Sequence, residues 1–194
     1  MNRTKTLLVS ATAIVAALTL VGCADTAGNT SSSSDSSASS ESAVFNDQDV
    51  MFAQMMLPHH EQAVEMSDTF IAKGDSVDSD VLALAETIKD EQGPEIEQLT
   101  TWLDDWGQDT SASMDHSMDG MMSESDMTAL EDAEGAEASR LFLEQMTEHH
   151  KGAVDMAQQE VDGGENPDAV EMAKNIVESQ TAQIDQMESL LSSL

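Results

Sequence analysis

Cysteine is nearly missing from this chain and tyrosine is missing altogether: Cys23 is the one thiol in 194 residues. A lone cysteine closes no internal disulfide, and one thiolate builds no metal cluster. Basic residues are scarce too, with 7 Lys and Arg against 38 Asp and Glu. A surface of that charge repels phosphates and anionic headgroups and gathers cations, so nucleic acid is excluded as a partner. Prolines number three, and no stretch alternates apolar and polar residues as a half-buried strand would, which leaves a helical chain. The sequence also lacks a serine-nucleophile motif, a phosphate loop and a glycine-rich dinucleotide turn.

What is present begins with an address. Arg3 and Lys5 precede an apolar run from Leu7 to Leu20, broken only by Ser10, Thr12 and Thr19. A membrane span needs about 20 apolar residues, so this shorter run reads as a secretory leader. It ends in Leu20-Val21-Gly22-Cys23, which resembles the lipobox of bacterial lipoproteins. That resemblance implies cleavage after residue 22, acylation of Cys23 and an anchor on the outer face of the cell membrane. Residues 24–43 are mostly Ser, Ala, Asp, Thr and Gly; with 23 and 44 they read as a flexible tether. Once Cys23 is acylated, soft-metal chemistry outside the membrane falls to thioethers and imidazoles.

From residue 45 to 194 the punctuation divides the chain into four long helical segments. The first runs over about 46–73 to Gly74, and the second from an N-cap at Ser79 to Gly107, with Gly93-Pro94 expected to kink it. The third runs from Ser123 or Ser125 to Gly163-Gly164, and the fourth opens at Asn166-Pro167. Two of these segments repeat the other two. Phe52, Met56, His59, His60, Ala63, Val64, Glu65 and Met66 recur 90 residues later as Phe142, Met146, His149, His150, Ala153, Val154, Asp155 and Met156. Ala85, Ile88, Gln92, Ile96, Gln98 and Leu99 recur 88 residues later as Ala173, Ile176, Gln180, Ile184, Gln186 and Met187. The expected fold is therefore all-α: a four-helix bundle built from two repeated helical hairpins, joined by a connector at about 107–124.

The repeated motif carries the chemistry. Phe52, Met56, His59, Ala63 and Met66 are spaced 4, 3, 4, 3, as are their counterparts; this is an apolar seam with a histidine at its centre. His60 and His150 stand on the flank of that seam, one turn after Met56 and Met146. Adjacent histidines diverge on a helix, so a single pair does not chelate one ion; a His with a Met one turn away, or His residues from different helices, would. Gln92 and Gln180 sit at the centres of the second helices' apolar seams, and buried amides need partners. The expectation is that they hydrogen-bond the histidines and fix their tautomers; the alternative is that they reach water.

The connector holds Met114, His116, Met118, Met121 and Met122 within nine residues. It has no helical seam for methionine to fill. Thioethers select Cu(I) and imidazole suits Cu(II), so clustered Met and His without Cys point to copper. Thioethers carry no proton, so methionine sites should persist in mild acid where imidazole ligands are lost.

The motif Met56-Leu57-Pro58-His59-His60-Glu61-Gln62-Ala63-Val64-Glu65-Met66 and its copy at 146–156 resemble the bacterial domain-of-unknown-function family 305 over about 45–193. The resemblance implies a ferritin-like four-helix bundle and a relation to secreted copper-binding proteins of copper tolerance. By position it implies Met56, His59, His60, Met66, Met146, His149, His150 and Met156 as ligands of Cu(I) or Cu(II). Pro58 stands where the second copy has Glu148, so the halves need not bind alike.

The function expected is thus a lipid-anchored copper-binding protein serving buffering, delivery or tolerance, with a copper-accepting protein as candidate partner and an oligomer compatible with it. The alternative is a metal-free helical scaffold whose histidines serve packing. An enzyme is not expected. A di-iron site needs Glu three residues before a ligating His, and those positions hold Met56, Leu57, Ser113, Met146 and Thr147. A His-Glu-x-x-His zinc site fails because Val64 stands at its last position.

Overall fold

The structure is a computed structural model, and it describes residues 44–110 and 119–194. Cys23, Met114, His116 and Met118 lie outside the described residues. Among those described there are helices and no strands: α1 (Asp47–Ile71), a 3-10 turn (Gly74–Ser76), α2 (Ser79–Asp105), α3 (Glu124–Asp132), α4 (Gly135–Gly163) and α5 (Pro167–Leu191). The expected helical hairpins are α1 with α2 and α4 with α5, and α1 packs on α4 to join them.

Local chemistry sets the helix ends. Asn46 caps α1 by accepting from the N–H groups of Gln48 and Asp49, while Asp49 reaches back to the Asn46 N–H. Asn166 caps α5 in the same way, with Pro167 in its first turn. The α2 cap is Asp78, one residue before the Ser79 expected, because its carboxylate accepts from the N–H groups of Asp80 and Val81. Neither Pro58 nor Pro94 ends its helix: α1 and α2 run through them.

The third segment departs from the sequence reading. It is broken into α3 and α4 at Ala133, whose backbone is extended, and Gly135, whose φ is +58°. The break is held from outside. The Lys73 ammonium at the end of α1 donates to the carbonyls of Glu131 and Ala133 at 2.9 and 2.8 Å, filling acceptors that a continuous helix would have used itself.

Two apolar cores form at opposite ends of the bundle. One gathers Phe52, Met56, Leu99, Leu103, Ala153, Met156, Ala173 and Ile176. The other gathers Ala63, Met66, Phe70, Ala85, Ile88, Phe142, Met146 and Met187. Each core takes one half of α1 and the opposite half of α4, as an antiparallel pair related by the repeat requires. Burying each large side chain contributes about 1.5–3 kcal/mol. Between the cores lies a buried polar layer of His59, His60, Gln92, His149, His150, Gln180 and Gln183. No described helix is long and apolar enough to cross a membrane.

Candidate metal centre

The seam spacing puts His59 and His149 at the crossing of α1 and α4. Their rings meet across the pseudo-twofold axis with centroids 3.8 Å apart and planes 44° apart. His60 and His150 follow on each helix, and all four side chains are buried. Met56 and Met146 stand one turn before His60 and His150, and Met66 and Met156 one to two turns after, all buried. Met56 and Met156 belong to the core on one side of the histidine layer, Met66 and Met146 to the core on the other.

Six ring nitrogens in this layer have no hydrogen-bond partner: both of His59, both of His149, and Nδ1 of His60 and of His150. The backbone of Asp119 lies near the His59 ring and that of His59 near the His149 ring, but neither contact has hydrogen-bond geometry. Leaving a buried polar atom unsatisfied costs about 1–3 kcal/mol, so the layer is a poor device for stability alone. Its electrostatics keep the lone pairs open. Burial, with the neighbouring His60 adding to it, pushes His59 down to about 3, against a pull upward from the Asp119 carbonyl beside it. Burial likewise pushes His150 down to about 4, against its bond to Gln183. His149 is held well below its ordinary range by burial and then by His59, His150 and His60. Burial thus favours the neutral form of His59, His149 and His150, the form in which an imidazole ligates a metal.

The glutamines at the seam centres do not meet the histidines. Gln92 and Gln180 are buried, but the Gln92 carbonyl oxygen and both polar atoms of the Gln180 amide have no partner. The ring partners lie one turn further along: His60 Nε2 bonds Glu95 Oε2 at 2.8 Å, and His150 Nε2 bonds Gln183 Oε1 at 2.8 Å. Helix rotation within the bundle carries the flank of α2 and α5, rather than the seam centre, to His60 and His150. Glu95 and Gln183 occupy equivalent places, 88 residues apart, so the repeat itself was the signal that could have found them. Glu95 also lines a groove of about 380 Å³ with Asp168, Glu171 and Met172, an acidic opening beside the buried layer.

The end of the connector comes to the same layer. Gly120, with φ +86°, lies against the backbone of Glu148, His149 and Gly152. A Cβ at Gly152 would stand 2.1 Å from the Asp119 carbonyl oxygen, so only glycine admits this approach. On the α1 side, the Gln62 amide clamps the Met122 backbone through bonds of 2.9 and 2.7 Å. Gln62 and Gly152 are equivalent in the repeat. One holds the connector and the other makes room for it; half-buried Met121 and Met122 follow directly on this approach, and Met122 packs against the core that holds Met66 and Met146.

Among the described residues, no three His, Cys, Asp or Glu side chains converge as a ready-made cage. An ion held here takes thioethers into its shell or draws the rings together. The donors present, neutral imidazoles and thioethers, fit a soft or borderline ion and not a hard one.

The profile of the family described as "Domain of unknown function (DUF305)" matches residues 49–191. The chain belongs to the DUF305 family. A DUF305 protein of Streptomyces coelicolor, provisionally classed as secreted, is 34% identical over 75% of this chain and 93% of its own, with a TM-score of 0.71. A DUF305 fragment from Deinococcus radiodurans is 32% identical over 77% and 98%, with a TM-score of 0.69. CopM in its Cu(I)-bound form is 29% identical over 75% and 96%, with a TM-score of 0.64. CopM has also been solved with Cu(II), with silver and in the apo form. No curated protein matches the chain.

Proposed function

We propose that this DUF305 protein binds copper reversibly, without turnover, at the histidine layer between its two hairpins. The observation that carries the reading is the set of six unpartnered ring nitrogens on four buried histidines. His59, His60, His149 and His150 supply the imidazoles. Met56, Met66, Met146 and Met156 supply buried thioethers from either side, and Met121 and Met122 approach from the connector with Met114, His116 and Met118 upstream of them in sequence. CopM, bound to Cu(I), Cu(II) and silver in its crystals, supports the same ligand class here. Silver shares the preference of Cu(I) for thioethers.

The leader and the Leu20-Val21-Gly22-Cys23 motif support an outward-facing lipoprotein, held by Cys23 and spaced from the membrane by residues 24–43. Without Arg3 and Lys5 of the leader, 5 basic residues face 38 acidic ones, and a net charge of −33 raises the local concentration of cations there. Buffering copper, or handing it to an accepting protein, is the role that such a site and such an address support.

The test is titration with Cu(I) under a competing chelator, beside a variant with all five histidines changed to Ala and the connector methionines to Leu. Tight binding that the variant loses is the expected result. Equal weak binding by both proteins, with helicity intact, would sink the copper reading.

A further inference from the structure

Both His60 and His150 use Nε2 for a hydrogen bond and leave Nδ1 buried without a partner. The two bonds are made by different residue types, yet the chemistry of each fixes the same proton. A carboxylate oxygen has no hydrogen to give, so Glu95 Oε2 accepts and His60 Nε2 carries the hydrogen. Gln183 could in principle face His150 with either end of its amide. Its orientation is decided by Glu91, whose carboxylate Oε2 accepts from Gln183 Nε2 at 2.8 Å. The amide nitrogen is thereby committed to Glu91, and the amide oxygen faces the ring. His150 Nε2 therefore donates as well.

Resting on the metal-binding reading above, we infer that Glu95, and Gln183 with Glu91 behind it, are positioning residues that hold His60 and His150 as Nε2–H tautomers and so make Nδ1 the metal-donating atom in both halves. The halves are not equal donors. A charged acceptor on Nε2–H makes a ring more basic than a neutral amide does. The His60 half-site accordingly binds the more charge-demanding Cu(II) more tightly than the His150 half-site, whose carboxylate acts through an intervening amide. The acidic groove that Glu95 lines places the stronger half-site beside the cation-gathering surface.

The experiment has two readouts. In the metal-free protein, long-range proton–nitrogen correlation spectra report which ring nitrogen of each histidine carries hydrogen. Competition titrations then report Cu(II) affinity. The parent should show bare Nδ1 and protonated Nε2 on His60 and His150. Glu95→Leu should lose the fixed tautomer of His60 and weaken Cu(II) binding about 10- to 100-fold. Glu95→Gln should restore the tautomer, because its amide oxygen can accept, while restoring only part of the affinity. Gln183→Glu combined with Glu91→Gln, which keeps an amide donor facing the new carboxylate, should strengthen binding in the second half. Hydrogen on Nδ1 in the parent overturns the inference, as does a Glu95→Leu protein with unchanged tautomer and affinity. Copper bound tightly in either case leaves the copper reading standing and removes this assignment alone. Absence of copper binding in the parent overturns both.

Discussion

The two hairpins carry one motif and finish it differently. In the first, His60 is tied to a carboxylate, Glu95, and Gln62 grips the connector. In the second, His150 is tied to an amide, Gln183, and Gly152 offers the connector an empty space instead of a side chain. The ends of the bundle differ in the same way. Phe70 stacks on Phe142 with centroids 4.6 Å apart, but the place equivalent to Phe70 beside Phe52 is taken by Glu160, buried next to Asp49. The apolar seams have been kept in both copies because either core collapses without them. The polar positions differ because they face the connector, the acceptors on α2 and α5, and the chain ends, which the repeat does not duplicate.

That contrast can be broken most severely at its apolar end. Phe142→Ala removes a fully buried ring and its stacking on Phe70, and should cost about 3–5 kcal/mol in denaturant unfolding. Phe52→Ala, in the core where Trp106 stacks on Phe45 and Trp102 but the Phe52 ring stacks on neither, should cost less by about 0.5–1.5 kcal/mol. Equal losses would show that the stacking adds nothing beyond burial. The connector gives the next largest difference. Gly152→Ala sets a methyl group against the Asp119 carbonyl, which must move, and should cost about 1–3 kcal/mol. It should also weaken copper binding by displacing the connector that carries Met121 and Met122. Gln62→Ala leaves space behind and loses two hydrogen bonds of about 1 kcal/mol each. Copper affinity unchanged by Gly152→Ala would separate the connector from the site.

The histidine layer should respond in the opposite direction. His149→Leu replaces a ring with two unpartnered nitrogens by an apolar side chain of similar size. The metal-free protein should gain about 1–3 kcal/mol of stability, while copper binding falls. A stability loss would mean that the His149 nitrogens have partners in solution. The trade is the expected one for a site kept for binding rather than for folding.

Much of this could be read in the sequence, and the part that could not follows one rule. The 90- and 88-residue shifts define the hairpins, and the 4, 3, 4, 3 spacing puts His59 and His149 in the interior, because side-chain direction along a helix is periodic. Partners across helices are not periodic in that sense. Gln92 and Gln180 were the natural choice from their seams, yet Glu95 and Gln183 make the bonds, since a rotation of one helix by a fraction of a turn decides which residue reaches the ring. The break at Ala133 depends on Lys73, some 60 residues away, and the Gly120–Gly152 approach on how the connector folds back. Neither leaves a local trace beyond the glycines.

Glu160 sharpens the comparison of the two ends by its response to pH. Burial first, and then the adjacent Asp49, pushes its carboxyl up to about 8. Burial would raise Asp49 as well, but its oxygens accept from the N–H groups of Asn46, Glu165 and Asn166. Those bonds and the contact with Glu160 hold it below its ordinary range. At neutral pH the pair thus carries one proton, on Glu160, although neither Glu160 oxygen closes a hydrogen bond. In the unfolded chain Glu160 ionises near its ordinary 4.5, so between about 4.5 and 8 the folded state binds a proton that the unfolded state does not. Stability from this group is complete below about 4.5 and is lost as pH rises through about 8. His59, His149 and His150, all lowered by burial, act the other way, favouring the folded state less as acid charges them in the unfolded chain below about 6.5. Glu160→Gln cannot ionise, so it isolates the first effect from the second. Melting temperatures of parent and variant, taken in steps from pH 5 to 9, should diverge in the variant's favour as pH rises. Parallel curves would mean that Glu160 is already ionised at neutral pH, and that Asp49 is not sharing its proton.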